Sequence, residues 1–280
     1  MPQVTIIIPT FARPELLWRA TESVLNQSFQ DFEIIIVDDC REQSVENIAA
    51  SFKESRIRYI RHEKNQGGAA ARNTGIKNAR GEFIAFLDDD DEWLPNKLKA
   101  QMKEFEKTGD EVGFCFTAIE GVNEIKSETS DIPDGVADYY ELALKRFKGF
   151  LTSSLIVKKK VFEDVGYFDE KFPSHQEADL IIRIAKKYKG LGINEPLVRM
   201  NMMNHEQIGT SLSRRIAGRE MILQKYFDEY MKYPEIMAKH YFWLAIMYRD
   251  NKEKTKAKEN FKKAWQTKFN VRFFFHYLIA

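Results

Sequence analysis

GEFIAFLDDDDEWLPNKL, residues 81–98, decides how the chain folds. Its first half is a short apolar run rich in Phe and Ile, with the length and composition of a buried strand, and it stops at four consecutive aspartates, Asp88 to Asp91. Pro95 then opens a helical pattern that reaches about Lys107. Outward from here the same alternation recurs. Val4–Ile8, Glu33–Val37 and Ile57–Ile60 are further short runs of Ile and Val, each a candidate strand. Helical segments separate them: Pro14 precedes LLWRATESVLNQ, Ser44 is placed to cap VENIAASFK, and AAARNTGIKNA lies between Gly68 and Gly81. Such alternation specifies an α/β fold with a mostly parallel sheet, right-handed crossovers and flanking helices. Ligands of these sheets bind outside the carboxyl ends of the strands. Here the first strand runs into Pro9-Thr10, the second into Asp38-Asp39 and the fourth into the aspartates, so the ligand edge is acidic.

Carboxylates crowded at a buried strand end repel one another unless a cation or hydrogen-bond donors compensate. In an extended chain Asp88 and Asp90 share one side, roughly 6.5 Å apart. That spacing suits one carboxylate on a ribose and the other on Mg²⁺ or Mn²⁺, the hard cations that also bridge diphosphates. The plainer reading is a solvated acidic turn capping the helix at Pro95. Asp38-Asp39 reads either as a structural turn or as a carboxylate accepting a hydrogen bond from a base imide or a ribose hydroxyl. NQGGAAARN reads as a turn that opens a helix, or as a loop in which Gly67 and Gly68 admit a ligand to the backbone while Arg72 faces a phosphate or orders the aspartates.

Taken in order, VTIIIPTFAR, VLNQSFQDFEIIIVDDC, NQGGAAARNTGI and GEFIAFLDDDDEWLPNKL resemble the large second family of inverting glycosyltransferases with the GT-A (Rossmann-like) fold, closely over residues 3–96. The resemblance implies transfer of a sugar from a nucleoside-diphosphate sugar, a UDP- or dTDP-sugar by family preference, to an acceptor hydroxyl in polysaccharide, lipopolysaccharide or glycan synthesis, with Mn²⁺ or Mg²⁺ as cofactor. It implies that Thr10 and Asp39 bind the base, that Arg72 helps form its pocket, that Asp88 meets the ribose and that Asp90 holds the metal. Pro9, Arg13, Gly67 and Asp89 complete the implied nucleotide-sugar contacts. In QEADLIIR, Glu177 takes the place of the catalytic base, where the family usually has Asp. His205, in NMMNHEQIG, lies where relatives present polar residues to the diphosphate or metal. Two departures stand in the first strands' loops: Ala12 replaces the usual Asn before Arg13, and Cys40 sits where Gly is common. A sugar-phosphate nucleotidyltransferase shares this topology, but PTFARPE lacks the Gly-rich basic loop such enzymes place after the first strand. A non-catalytic sugar-nucleotide-binding protein is the other alternative, suggested by Glu177 and Ala12.

The 280 residues suffice for one large α/β domain, expected over 1–213, with a helical region over 214–280. Within the first, GVNEIKSETSDIPDG (121–135) reads as a mobile loop, Val112–Thr117, Ser153–Val157 and Leu197–Met202 as strands, and Ala178–Tyr188 as a helix. The stretch 241–265 has the spacing of a single tetratricopeptide-like helix pair. The two cysteines, Cys40 and Cys115, offer neither a disulfide framework nor a zinc spacing. MPQVTIIIPTF reads as a strand rather than a signal, and no segment approaches the roughly 20 apolar residues of a membrane span. A cytoplasmic location is expected. Residues 251–280 hold eight Lys/Arg and two Glu, a charge of +6, which leaves −5 on the remainder and argues against a nucleic-acid surface there. Phe269, Phe273, Phe274, Phe275, Tyr277, Leu278 and Ile279 stand among those basic residues. Two expectations follow for this tail: its apolar face closes onto the protein, or it rests on an anionic membrane near a lipid-linked acceptor.

Overall fold

A computed structural model describes residues 1–40, 42–122, 127–146, 150–201 and 211–279. The chain forms two compact units, Met1–Glu170 with Leu180–Met203, and Lys171–Asp179 with Asn204–Ala280. Residues 171–179 group with the second unit.

The first unit is built on one sheet. β1 (Val4–Thr10), β2 (Phe32–Asp38), β3 (Ile57–Arg61) and β4 (Phe83–Phe86) are parallel in the order β3-β2-β1-β4. The sheet continues through β9 (Ile156–Lys158), β6 (Val112–Val122), β10 (Lys189–Asn201) and β5 (Asp91–Trp93). β9 is antiparallel to β4 and β6, and β5 is antiparallel to β10, whereas β6 and β10 are parallel. The expected parallel order therefore holds for β1 to β4, and the whole sheet is mixed. Strand periodicity is the same in either direction, so short strands such as β9 give no directional signal in sequence.

β2, FEIIIVD, is buried at every position, as a strand covered on both faces requires. Ile6, Ile8, Ile34 and Ile36 meet Leu17 and Val24 of α1 (Pro14–Leu25), which starts with Pro14 in its first turn. α2 (Glu46–Ser51) is preceded by Val45 at the cap position, and Ser44 instead accepts the Glu46 N–H through Oγ at 3.1 Å. α3 (Gly68–Asn78) lies hard against β1, where a Cβ at Gly75 would stand 2.5 Å from Ile7 Cγ2. α4 (Lys97–Phe105), α5 (Tyr140–Lys145), α6 (Lys159–Val165) and α7 (Gln176–Ala185) follow along the chain.

Three expectations on local structure change. The polar stretch 121–135 carries β7 (Ser127–Thr129), paired with β6, and the first residue of β8 (Gly135–Ala137), paired with β10. Ladder bonds are made by the backbone, so exposed edge strands need no apolar alternation. Thr152–Ser154 is a 3₁₀ turn, and strand begins only at Ile156. β10 starts at Lys189, its first half concealed in sequence by Gly190, Gly192 and Pro196.

Beyond the 171–179 segment the described residues of the second unit form α8 (Leu212–Lys225), α9 (Phe227–Met231), α10 (Pro234–Asp250), α11 (Lys254–Thr267) and α12 (Val271–Ile279). α10 and α11 form the expected helix pair around the turn at 251–253. Phe242 of α10 meets Phe261 of α11 at 5.5 Å and Phe273 of α12 at 4.7 Å between ring centroids. No helix among the described residues is long and apolar enough to cross a membrane.

Candidate active site

Register brings the site residues of the first unit together. Thr10 pairs with Asp38 across β1–β2 and Ile7 with Phe86 across β1–β4, while Leu87 N–H bonds the Ile7 carbonyl. The aspartates therefore leave β4 at the level of Pro9 and Thr10. The run is a turn and not the extended segment expected, since the Asp91 N–H bonds the Asp88 carbonyl at 3.0 Å; within it Asp89 and Asp91 are buried, Asp88 and Asp90 half-buried. The inward pair is tied to the protein. Thr10 Oγ1 donates to Asp89 Oδ2 at 2.8 Å, and Arg13 Nη1 lies 3.2 Å from Asp89 Oδ1 and 3.6 Å from Asp90 Oδ2. Ser153 Oγ donates to Asp91 Oδ2 at 2.5 Å and accepts the Asp88 N–H at 3.1 Å. The Ser153 carbonyl accepts Trp93 Nε1–H at 2.8 Å, so the 3₁₀ turn clamps both ends of the acidic run. On the outward side Arg72 Nη2 donates to Asp88 Oδ1 at 2.5 Å, and its guanidinium lies 5.7 Å from the Phe168 ring centroid.

This crowding shows in the titration of the inward pair. Burial pushes the Asp89 carboxyl up to about 6, against the Thr10 bond and the Arg13 charge and with help from Asp90 and Asp88. Asp91 is raised well above the usual range by burial, then by Asp88 and Asp90. The Asp88 and Asp90 side chains keep 33% and 14% exposure, against 7% for Asp89. Among the described residues no three His, Cys, Asp or Glu side chains form a ready metal cage. A cage is not what Mg²⁺ needs, since it is commonly held by one or two carboxylates, with substrate phosphates and water completing the shell. The oxygen donors of Asp88 and Asp90 fit that pattern.

The second edge element is Asp39. Its N–H bonds the Thr10 carbonyl at 2.9 Å. Oδ1 meets His62 Nδ1 and the Gln66 N–H, each at 2.8 Å, and Oδ2 accepts the Gly67 N–H at 2.7 Å. Of about four acceptor positions on a carboxylate, protein donors use most, so Asp39 orders the Gly-rich loop besides facing the edge. Gly67 has φ 89°, a conformation that favours glycine, immediately before α3. Asp38 is the structural member of the pair: fully buried, it accepts from Cys40 N–H, Val45 N–H and Tyr59 OH. Ala12 has φ 53°, the left-handed region in which Asn is tolerated and Ala is strained, which gives the departure at this position a physical meaning.

Ser153 and His62 were not legible as site residues in sequence. Ser153 is one of two serines before a short strand, and His62 follows β3 with no motif around it; both act through partners distant in the chain. Glu177 lies in the first turn of α7, half-buried, in the segment assigned to the second unit. There Asp179 is fully buried, accepts from Tyr226 OH at 2.7 Å and pairs with Lys225 at 2.7 Å. His205 lies outside the described residues.

A model of glycosyl transferase family 2 matches residues 5–165, more than half of the chain. The chain belongs to glycosyl transferase family 2. The family-2 match spans β1 to α6 and so contains the whole acidic edge. An uncharacterized glycosyltransferase of Methanocaldococcus jannaschii is 31% identical over 88% of this chain and 86% of its own length. The putative colanic acid biosynthesis glycosyl transferase WcaA of Escherichia coli is 27% identical over 82% of this chain and 83% of its own. A longer uncharacterized glycosyltransferase of Rickettsia felis matches at 32% identity over 66% of this chain, which spans only 32% of that protein. Among solved structures, Staphylococcus aureus TarS with UDP-GlcNAc aligns with a TM-score of 0.66 over 95% of this chain and 91% of its own, at 14% identity. The mannosyltransferase PcManGT of Pyrobaculum calidifontis with GDP-Man and Mn²⁺ gives 0.63 over 97% and 77%, at 16% identity. These likenesses establish the GT-A fold.

Proposed function

We propose that this family-2 protein transfers a sugar from a nucleoside-diphosphate donor, a UDP- or dTDP-sugar, to an acceptor hydroxyl, with inversion at the anomeric carbon and with Mn²⁺ or Mg²⁺. One observation carries the reading: at the carboxyl edge a turn of four aspartates holds Asp89 and Asp91 on Thr10 and Ser153 and leaves Asp88 and Asp90 the more exposed carboxylates, beside Arg72 and Arg13. Asp90 would hold the metal, which supplies positive charge to the departing diphosphate. Asp88 is held by Arg72 in reach of a ribose hydroxyl, and Thr10 and Asp39 border the base. Arg13, already beside Asp89 and Asp90, adds charge at the diphosphate. The acceptor oxygen bonds to the anomeric carbon as the bond to the nucleoside diphosphate breaks, and the hydroxyl proton passes to a carboxylate. We assign that base to Glu177 by its motif, at the first turn of α7.

The acceptor is a growing polysaccharide or lipid-linked glycan at the inner face of the cell membrane. Relatives point the same way: WcaA is named for colanic acid biosynthesis, and a Campylobacter jejuni relative, 32% identical over 67% of this chain, is a glucosyltransferase acting on an undecaprenol-linked glycan. Calorimetric titration of nucleotide sugars, with and without Mn²⁺, tests the site. Asp90→Asn should abolish the Mn²⁺-dependent part of donor binding; unchanged affinity in the variant would remove Asp90 from the metal role.

A further inference from the structure

α12 is apolar on two sides. Its inner side is occupied within the second unit: Phe273 stacks on Phe242, His276 lies 5.4 Å from the Phe261 ring, and Phe274 and Tyr277 meet Trp265 at 5.5 and 6.0 Å. The outer side is not used by this packing. Val271, Phe275, Leu278 and Ile279 are 72%, 57%, 60% and 65% exposed, and Phe269 just ahead of the helix is 66% exposed. Positions 271, 275, 278 and 279 recur at the spacing of a single helical stripe. The expectation that the tail closes an apolar face onto the protein holds for the inner side of α12.

The charge around this stripe decides what covers it. Lys254, Lys258 and Lys262 follow one another at successive turns of α11, and the Lys258 ammonium lies 5.8 Å from the Tyr277 ring of α12. Arg272 is exposed on α12 itself, its guanidinium 5.3 Å from the Phe242 ring. Among the described residues none of these four cations has a carboxylate within ion-pairing distance, whereas Glu253 and Glu235 are taken by Lys256 and Lys268. A two-fold interface between copies would set this basic patch against itself. An anionic bilayer supplies both the apolar layer and the opposite charge.

We propose that the outer stripe of α12, together with Arg272 of the same helix and Lys254, Lys258 and Lys262 of the adjoining α11, docks the protein on an anionic lipid surface, with Phe275, Leu278 and Ile279 entering the headgroup boundary. Lipid binding is read without a sugar donor, so its failure and the failure of the transfer reading are separable. The full chain should co-sediment with phosphatidylcholine vesicles containing phosphatidylglycerol, and far less with phosphatidylcholine alone. Phe275→Ser with Leu278→Ser should abolish sedimentation while the melting temperature is kept, because neither side chain is buried. Lys258→Gln and Lys262→Gln should each weaken partition about fivefold, the equivalent of one basic residue near an anionic surface. Absence of binding to the anionic vesicles, or equal binding by the serine variant, overturns the proposal. So does light scattering that shows a dimer which dissociates on the Phe275→Ser change, since the stripe would then be covered by a second copy.

Discussion

Ser153→Ala tests the clamp that shapes the acidic edge. The hydroxyl is 1% exposed, donates to the buried Asp91 carboxylate at 2.5 Å and accepts the Asp88 N–H at 3.1 Å; the substitution removes both bonds but keeps the carbonyl that holds Trp93. A hydrogen bond to a charged group is worth about 1.5–3 kcal/mol, a figure that applies above the raised Asp91 pKa, and the neutral bond adds roughly 1 kcal/mol. The expected loss is about 3 kcal/mol, since the two share one oxygen and do not add in full. For a chain of this size each kcal/mol moves the midpoint by about 2–4 °C, so melting should fall by roughly 6–12 °C. Stability alone would not show that the clamp serves the site. Mn²⁺-dependent donor affinity, measured by calorimetry below the melting range, should also weaken, by about tenfold or more, because Asp88 and Asp90 lose their fixed positions. A midpoint within a degree of the parent, or a large melting shift with unchanged metal-dependent affinity, would refute the reasoning.

Other substitutions probe separate parts of the account. Ala12→Asn should stabilise by about 0.5–1 kcal/mol in chemical denaturation, because Ala12 has φ 53° and Asn tolerates the left-handed region better. Lys97→Met should raise stability by about 1 kcal/mol: the Lys97 ammonium has no hydrogen-bond partner among the described residues and no exposed surface, and burial holds its pKa well below 10.5. A charged amine over Trp93, 3.8 Å away, could gain about 2 kcal/mol, but burial favours the neutral form and weakens that gain. The unfolded chain then holds the extra proton between the lowered pKa and 10.5, so parental stability climbs with pH in that window and the advantage of Met should shrink. Glu177→Gln should lower kcat by about 10²- to 10⁴-fold with donor affinity little changed, as steady-state kinetics would show.

The acidic edge was legible because strand ends are local events. Apolar runs stopping at Thr10, Asp38 and Asp88 fix where polar groups collect once the strands are parallel, whereas the aspartates themselves form a turn, with the Asp91 N–H on the Asp88 carbonyl at 3.0 Å, in place of the extended spacing expected of the run. What fastens that edge was not legible. Ser153 meets Asp91 and His62 meets Asp39 only through tertiary contact, and a lone Ser or His carries no periodic signal. Asp179 shows the same limit on a helix: its burial against Lys225 and Tyr226, far along the chain, makes it an anchor that no local pattern announces. β10 escaped notice in its first half because Gly190, Gly192 and Pro196 interrupt the β-branched pattern, while its pairing with β6 supplies what local propensity lacks.

The central claim is sugar transfer with inversion, and it is tested most directly by following the anomeric signals by NMR while the protein is incubated with a panel of UDP- and dTDP-sugars, Mn²⁺ and a lipid-linked or glycan acceptor. The account expects nucleoside diphosphate to be released in step with a new glycosidic bond of opposite anomeric configuration to the donor. A bond that retains the donor configuration, or tight donor binding with neither hydrolysis nor transfer across the panel, would contradict it.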